Sequence, residues 1–206
     1  MAILDATLLR SLPFRQAVRS GVDALTHAME AFLTVKATPI TDAMALSAIE
    51  LLSRNLRMAT MTDNLEAKQS ALIGSTMANL ACGNAKLGLA HLLNRPVNSL
   101  FPEVPYGESI GILLVPVMEF NLSASIDRFG VMAKFMGEER GELNGREFAA
   151  KCLLGLKNML ADLRIVRHYS TDSVDRRMVP KMARMAAKGT VSYTHLRAHE
   201  TLRSLV

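Results

Sequence analysis

The chain is expected to fold as an all-α domain, a bundle of about seven to nine helices. Three observations carry that expectation. Ala, Leu and Met dominate the composition, with 13 Met, and these residues favour helix. Aromatic residues make up only 5 %, Trp is absent, and no long β-branched run occurs. Apolar residues recur at helical spacing between proline and glycine punctuation marks. At 206 residues the chain is long enough for one domain with a real core.

The elements follow in order. Ser20 to about Lys36 forms the first helix, with Leu25, Ala28, Met29 and Phe32 as its apolar stripe. Thr38 can cap the next helix and Pro39 suits its first turn. That helix runs over Asp42 to Ala59, with Met44, Ala45, Ala48, Ile49, Leu52 and Leu56 on one side. Asp63 opens a long helix to about Ala85, rich in small residues and so expected to be central and crowded. Gly88 to Leu93 is a short helical piece bearing His91. Asn94 to Gly107 holds three prolines and is read as an extended loop. Gly107 to Phe120 is a buried helix that Pro116 can kink. Ser123 to Met136, Gly145 to about Leu163, and Ser170 to about Lys188 complete the set, with a polar connector over Gly137 to Gly145.

The tail departs from this pattern. Val191 to Thr201 resembles, in one reading frame, a translated adapter from transposon-based sequencing libraries. Residues 1–190 are therefore expected to form the helical domain, and residues 191–206 a non-native tail. His195 and His199, four apart, would otherwise invite a zinc reading, but a zinc site needs a folded scaffold and a third ligand.

Bulk properties exclude several classes of function. The net charge is +5, yet Arg10, Arg15, Arg19, Arg54 and Arg57 are scattered as on solvated helix faces. No basic block interleaved with aromatics points to nucleic acid. Ile110 to Met118, the longest apolar stretch, is too short to span a bilayer. Cys82 and Cys152 are lone cysteines in apolar surroundings, as expected of buried thiols in a reducing compartment. No signal peptide precedes the first helix, so a cytoplasmic protein is expected.

The chemistry-bearing run is Gly21 to Ala31. Asp23 and His27 lie four apart on a helical segment and can point at one object. A carboxylate with a neutral imidazole suits a divalent metal. His91, in Gly88-Leu89-Ala90-His91, offers a third donor; His168 is the remaining histidine outside the tail.

Several motifs in order extend this. Gly21 to Ala31, Thr41-Asp42-Ala43 with Ala45-Leu46, Gly88 to His91, and Leu114 to Asn121 closely resemble the iron-containing (group III) alcohol dehydrogenases. The resemblance runs from about Ile3 to at least Gly137, and more loosely to Lys188. It implies the family's all-helical C-terminal domain, which holds one divalent metal, iron or sometimes zinc. It also implies a separate α/β domain for NAD(P), a small alcohol or aldehyde substrate, and a homo-oligomer. Asp23, His27 and His91 map onto three metal ligands. The family's fourth ligand, a His between Pro and Gly, is replaced here by Tyr106 in Pro105-Tyr106-Gly107. Arg95 stands where relatives place a histidine near the nicotinamide.

Four readings of that changed corner stay open. Tyr106 ligates as a phenolate, although a phenol ionises only near pH 10 without help. Glu103 or Glu108 supplies a carboxylate. The protein gives three ligands and water fills in, as catalytic metals allow. Or the metal is lost and Asp23 with His27 is an ordinary surface pair.

No Gly-rich phosphate loop follows a strand anywhere in the chain. The nicotinamide domain is thus expected to be missing, and this polypeptide alone is expected not to turn over. A glycerol dehydrogenase-like member with a three-ligand zinc site is one rival. A non-catalytic helical metal-binding or dimerisation module is another.

Overall fold

The computed structural model describes residues 2–165, 169 and 175–187. Among these there are eight α-helices and no sheet, within the expected count. After a 3₁₀ turn at Ala6–Leu9, α1 spans Phe14–Leu33 and starts directly after Pro13. The helix begins at Phe14 and not at Ser20, because Phe14, packed against the core, and the buried Val18 extend its apolar stripe by more than a turn.

Thr38 caps α2 (Pro39–Met61) with a reciprocal capping box to Thr41, and Pro39 occupies the first turn as expected. Asn64, not Asp63, caps α3 (Leu65–Ala85), its side chain accepting from the Ala67 N–H. The small residues of α3 do bring it close to its neighbour: a Cβ on Gly74 would stand 3.1 Å from the Leu51 Cβ. The helix is crowded on one side only. Leu80 is 51 % exposed, and a Cβ on Gly83 would meet open space. The central helix is α1, which packs against α2, α3 and α5 and buries Val22, Leu25, Ala28 and Met29 completely.

The largest correction concerns Asn94 to Leu100. These residues belong to helix α4 (Leu89–Leu100), which runs through Pro96. A proline inside a helix removes one ladder bond and costs about 3 kcal/mol. Here Leu92, Asn94, Pro96 and Val97 are all buried, and α4 packs along α5 (Tyr106–Leu122) and α8 (Val179–Ala187). Tertiary packing thus offsets a local penalty that made the segment look like loop. Only the stretch from Phe101 to Pro105 connects α4 to α5.

Helices α6 (Ile126–Phe135) and α7 (Gly145–Asp162) pair with each other, α7 leaning on α5 and α6 on α2. Asn144 and Glu147 form the capping box of α7. Within the last expected helix, Ser170 to about Lys188, the described residues form a 3₁₀ turn at Arg176–Met178 that leads into α8. His168 and residues 191–206 lie outside the described residues. No described helix is long and apolar enough to cross a membrane.

Candidate metal centre

The site forms where the middle of α1 meets the start of α4. Helical spacing puts Asp23, His27 and Glu30 on one side of α1. Gly88 begins α4 without a side-chain cap of its own, and His91 follows in its first turn. The fold thus brings His91 to the pair that α1 presents.

The geometry is tight. The Nε2 of His91 is 3.4 Å from Oδ1 of Asp23, and Nδ1 of His27 is 3.9 Å from Oδ2 of Asp23. One donor atom from each of Asp23, His27 and His91 lies within 4.8 Å of the others. The two imidazoles stack with centroids 4.4 Å apart and planes 14° from parallel. His91 is 1 % exposed, while His27 and Asp23 keep a narrow opening at 15 % and 26 %.

The decisive feature is what these atoms lack. Asp23 Oδ1, His27 Nδ1 and His91 Nε2 are buried without a hydrogen-bond partner in the protein. Buried polar atoms are normally paired, and each exception asks for a cause. Three exceptions that converge, with one carboxylate oxygen and two imidazole nitrogens, fit a divalent cation. Two donors about 2.1 Å from one tetrahedral metal stand about 3.4 Å apart, the separation between His91 and Asp23.

Charge around the site agrees. Burial works against a charged His91, but its hydrogen bond to Glu30 and the negative charges of Glu30 and the nearby Asp23 push its pKa up to about 9. The pocket therefore favours positive charge between its carboxylates. His27 goes the other way: burial and the neighbouring His91 lower its pKa, against the pull of Asp23 and Glu30.

The remaining expected residues scatter. Tyr106 opens α5, with its ring centroid 6.4 Å from that of His91 and 45 % of the residue exposed. Burial of its hydroxyl and the charge of Asp23 raise its pKa, which opposes a phenolate. Glu108 turns away and pairs with Arg19 at 2.8 Å and Arg15 at 3.7 Å on α1. Glu103 is exposed in the α4–α5 connection. Neither glutamate belongs to the described cluster of donors. Arg95 is exposed one turn beyond His91 on α4. Gly107 is needed for contact: a Cβ there would stand 2.5 Å from the Arg19 carbonyl oxygen. Cys82 and Cys152 are buried free thiols, with pKa values pushed by burial up to about 11 and about 12.

One residue escaped the sequence reading although it sits in the same run. Glu30 is 1 % exposed and binds His91 directly, Oε2 to Nδ1 at 2.6 Å. Its sequence signal is a carboxylate two turns after Asp23, flanked by the buried Met29 and Ala31.

Known proteins resemble this chain along most of its length. Residues 17–202 match the C-terminal domain of the Fe-containing alcohol dehydrogenase family, a span that takes in part of the tail set apart above. The chain is 34 % identical over 198 residues to a 1,3-propanediol dehydrogenase of Citrobacter freundii, covering 96 % of this chain and 51 % of that protein. It is 29 % identical over 187 residues to an NAD-dependent methanol dehydrogenase of Bacillus methanolicus, covering 90 % and 49 %. A crystal structure of 1,3-propanediol oxidoreductase superposes with a TM-score of 0.92 at 32 % identity, covering 98 % of this chain and 53 % of that one. The alcohol dehydrogenase from Oenococcus oeni superposes with a TM-score of 0.89 at 26 % identity, covering 96 % and 52 %. The chain spans about half the length of these relatives. With its all-helical architecture and its matched span, the chain belongs to the Fe-containing alcohol dehydrogenase family, in the part that forms the C-terminal domain.

Proposed function

We propose that this chain is the metal-holding part of an NAD(P)-dependent oxidoreductase acting on small alcohols or aldehydes. The observation that carries the reading is the convergence of three unpaired donor atoms from Asp23, His27 and His91. Family membership supports a divalent metal there, with iron first and zinc second. The relatives' names support an alcohol as substrate, since they include propanediol and methanol dehydrogenases.

A divalent cation bound there would act as a Lewis acid, anchoring an alcohol oxygen and easing loss of its proton before hydride leaves for the nicotinamide. The chain's own residues supply the setting. Asp23 contributes negative charge; His27 and His91 contribute neutral donors once deprotonated. The burial of His91 limits water, and the partly exposed Asp23 leaves a way in. Tyr106 borders the site, its ring centroid 6.4 Å from that of His91, with a pKa raised by burial and by the charge of Asp23. Arg95, one turn past His91, would face the cofactor's side. The nicotinamide would bind to a region beyond these 206 residues, so the chain alone is expected to be inactive.

A second reading, a glycerol dehydrogenase-like site with zinc, draws support from the three-donor set and from the raised pKa of Tyr106. Metal analysis tests both. Purified chain should take up one divalent ion per molecule, iron in the first reading and zinc in the second, and His91→Ala should hold it far more weakly. Equal metal content in wild type and variant would overturn the site. NAD-linked oxidation of a short alcohol by the purified chain would overturn its proposed inactivity alone. Residues 191–206 are proposed to be adapter-derived, against a family match that runs to residue 202. Recovering the same codons beyond residue 190 from DNA prepared by another route would overturn that.

A further inference from the structure

We propose that Glu30 is a positioning residue for the metal centre, which holds His91 in the one protonation form and orientation that leaves Nε2 free to ligate. The proposal rests on the metal reading above. The geometry behind it involves three donors on one carboxylate. Oε2 of Glu30 accepts from the Gly88 N–H at 2.9 Å, Oε1 accepts from the Ala90 N–H at 2.5 Å, and Oε2 also meets Nδ1 of His91 at 2.6 Å. All three belong to the start of α4, whose own first residue has no side-chain cap. Glu30 therefore caps α4 from another helix. Its buried charge is stabilised by the aligned N–H groups at that helix end.

The two backbone bonds fix where the carboxylate stands. The third bond then acts on His91. A carboxylate only accepts, so the proton of a neutral His91 must sit on Nδ1. That leaves Nε2 with a free lone pair, facing Asp23 at 3.4 Å. Outer partners of this kind commonly orient metal-binding histidines. Gly88 makes the arrangement possible: a Cβ there would stand 2.7 Å from the Glu30 carboxyl group.

Glu30→Gln weakens the hold on His91 while keeping part of the cap. An amide accepts at only one of the two oxygen places: in one orientation its NH₂ meets both His91 and the Gly88 N–H, and in the other it meets the Ala90 N–H while His91 keeps only a neutral, weaker acceptor. Either way Nδ1 loses the charged acceptor that holds the proton away from Nε2, the atom that must ligate. The measurement is Co²⁺ affinity of the full chain, by competition with a chromophoric chelator, for wild type, Glu30→Gln, Glu30→Asp, His91→Ala and the double variant Glu30→Gln/His91→Ala. Affinity should fall about tenfold to hundredfold in Glu30→Gln and less in Glu30→Asp. Glu30→Gln should add nothing in the His91→Ala background, because Glu30 acts through His91. In zinc-loaded, ¹⁵N-histidine-labelled wild type, the His91 proton should appear on Nδ1.

An affinity within twofold of wild type in Glu30→Gln would overturn the proposal while leaving the metal site standing. So would an equal loss in both backgrounds, which marks a purely structural role. If Glu30→Gln does not fold, judged by circular dichroism, Glu30→Asp decides alone: unchanged affinity overturns the proposal. Wild type that takes up no Co²⁺ would overturn the metal reading and this proposal with it.

Discussion

Two polar clusters sit three residues apart on α4, and they are finished differently. Around Asn94 every bond closes. Ser109 donates its hydroxyl to the side-chain amide oxygen of Asn94, and the Asn94 side-chain NH₂ donates to the Tyr106 backbone carbonyl at 3.4 Å. The Tyr169 hydroxyl meets Ser109 Oγ at 2.8 Å. Around His91, one side is closed by Glu30 and the other is left with three converging unpaired atoms. A closed buried network specifies a fold; an open one is retained against its cost when something else completes it. Convergence is the discriminating property. The Asn121 side chain is also buried and unpartnered, but it belongs to no cluster of donors among the described residues.

The comparison can be broken from either side. Divalent metal at about a hundredfold over its dissociation constant should stabilise the chain by about 2.7 kcal/mol against urea, and a chelator should reverse this. His91→Ala should remove most of that increment; an increment that survives undiminished would make the open cluster as structural as the closed one. Asn94→Ala should do the opposite, costing about 1–3 kcal/mol of metal-free stability by stranding Ser109 while keeping the metal increment. Loss of metal uptake in Asn94→Ala would show that the two clusters are one unit. Thr38→Ala, which removes the cap of α2 far from either cluster, should cost about 1 kcal/mol in urea titration and leave metal binding alone. The smallest effect is expected for Tyr106→Phe, with affinity within about twofold of wild type if three protein ligands suffice. A large loss there would return Tyr106 to the ligand set.

How far the sequence shows the site depends on where its contacts lie. Asp23 and His27 are one helical turn apart on α1, so local periodicity alone puts them together. His91 carries no such local mark. Its place rests on motif order, because the contact that matters is with a helix about sixty residues away in the chain. Glu30 was hidden in plain view: a lone glutamate on a helix usually reads as solvated surface, and only the approach of Gly88 and Ala90 turns it inward. Glu108 shows the reverse. It lies close to Tyr106 in the chain, but Arg19 draws it out of the site.

The helical class, the capped start of α2 and the Asp23–His27 pair follow from residue type and 3.6-residue spacing, which act over one or two turns. The helix through Pro96, the meeting of His91 with α1 and the inward carboxylate of Glu30 do not. They arise where burial of α4 against α5 and α8 outweighs local preference, and that balance is set only once distant segments share a core.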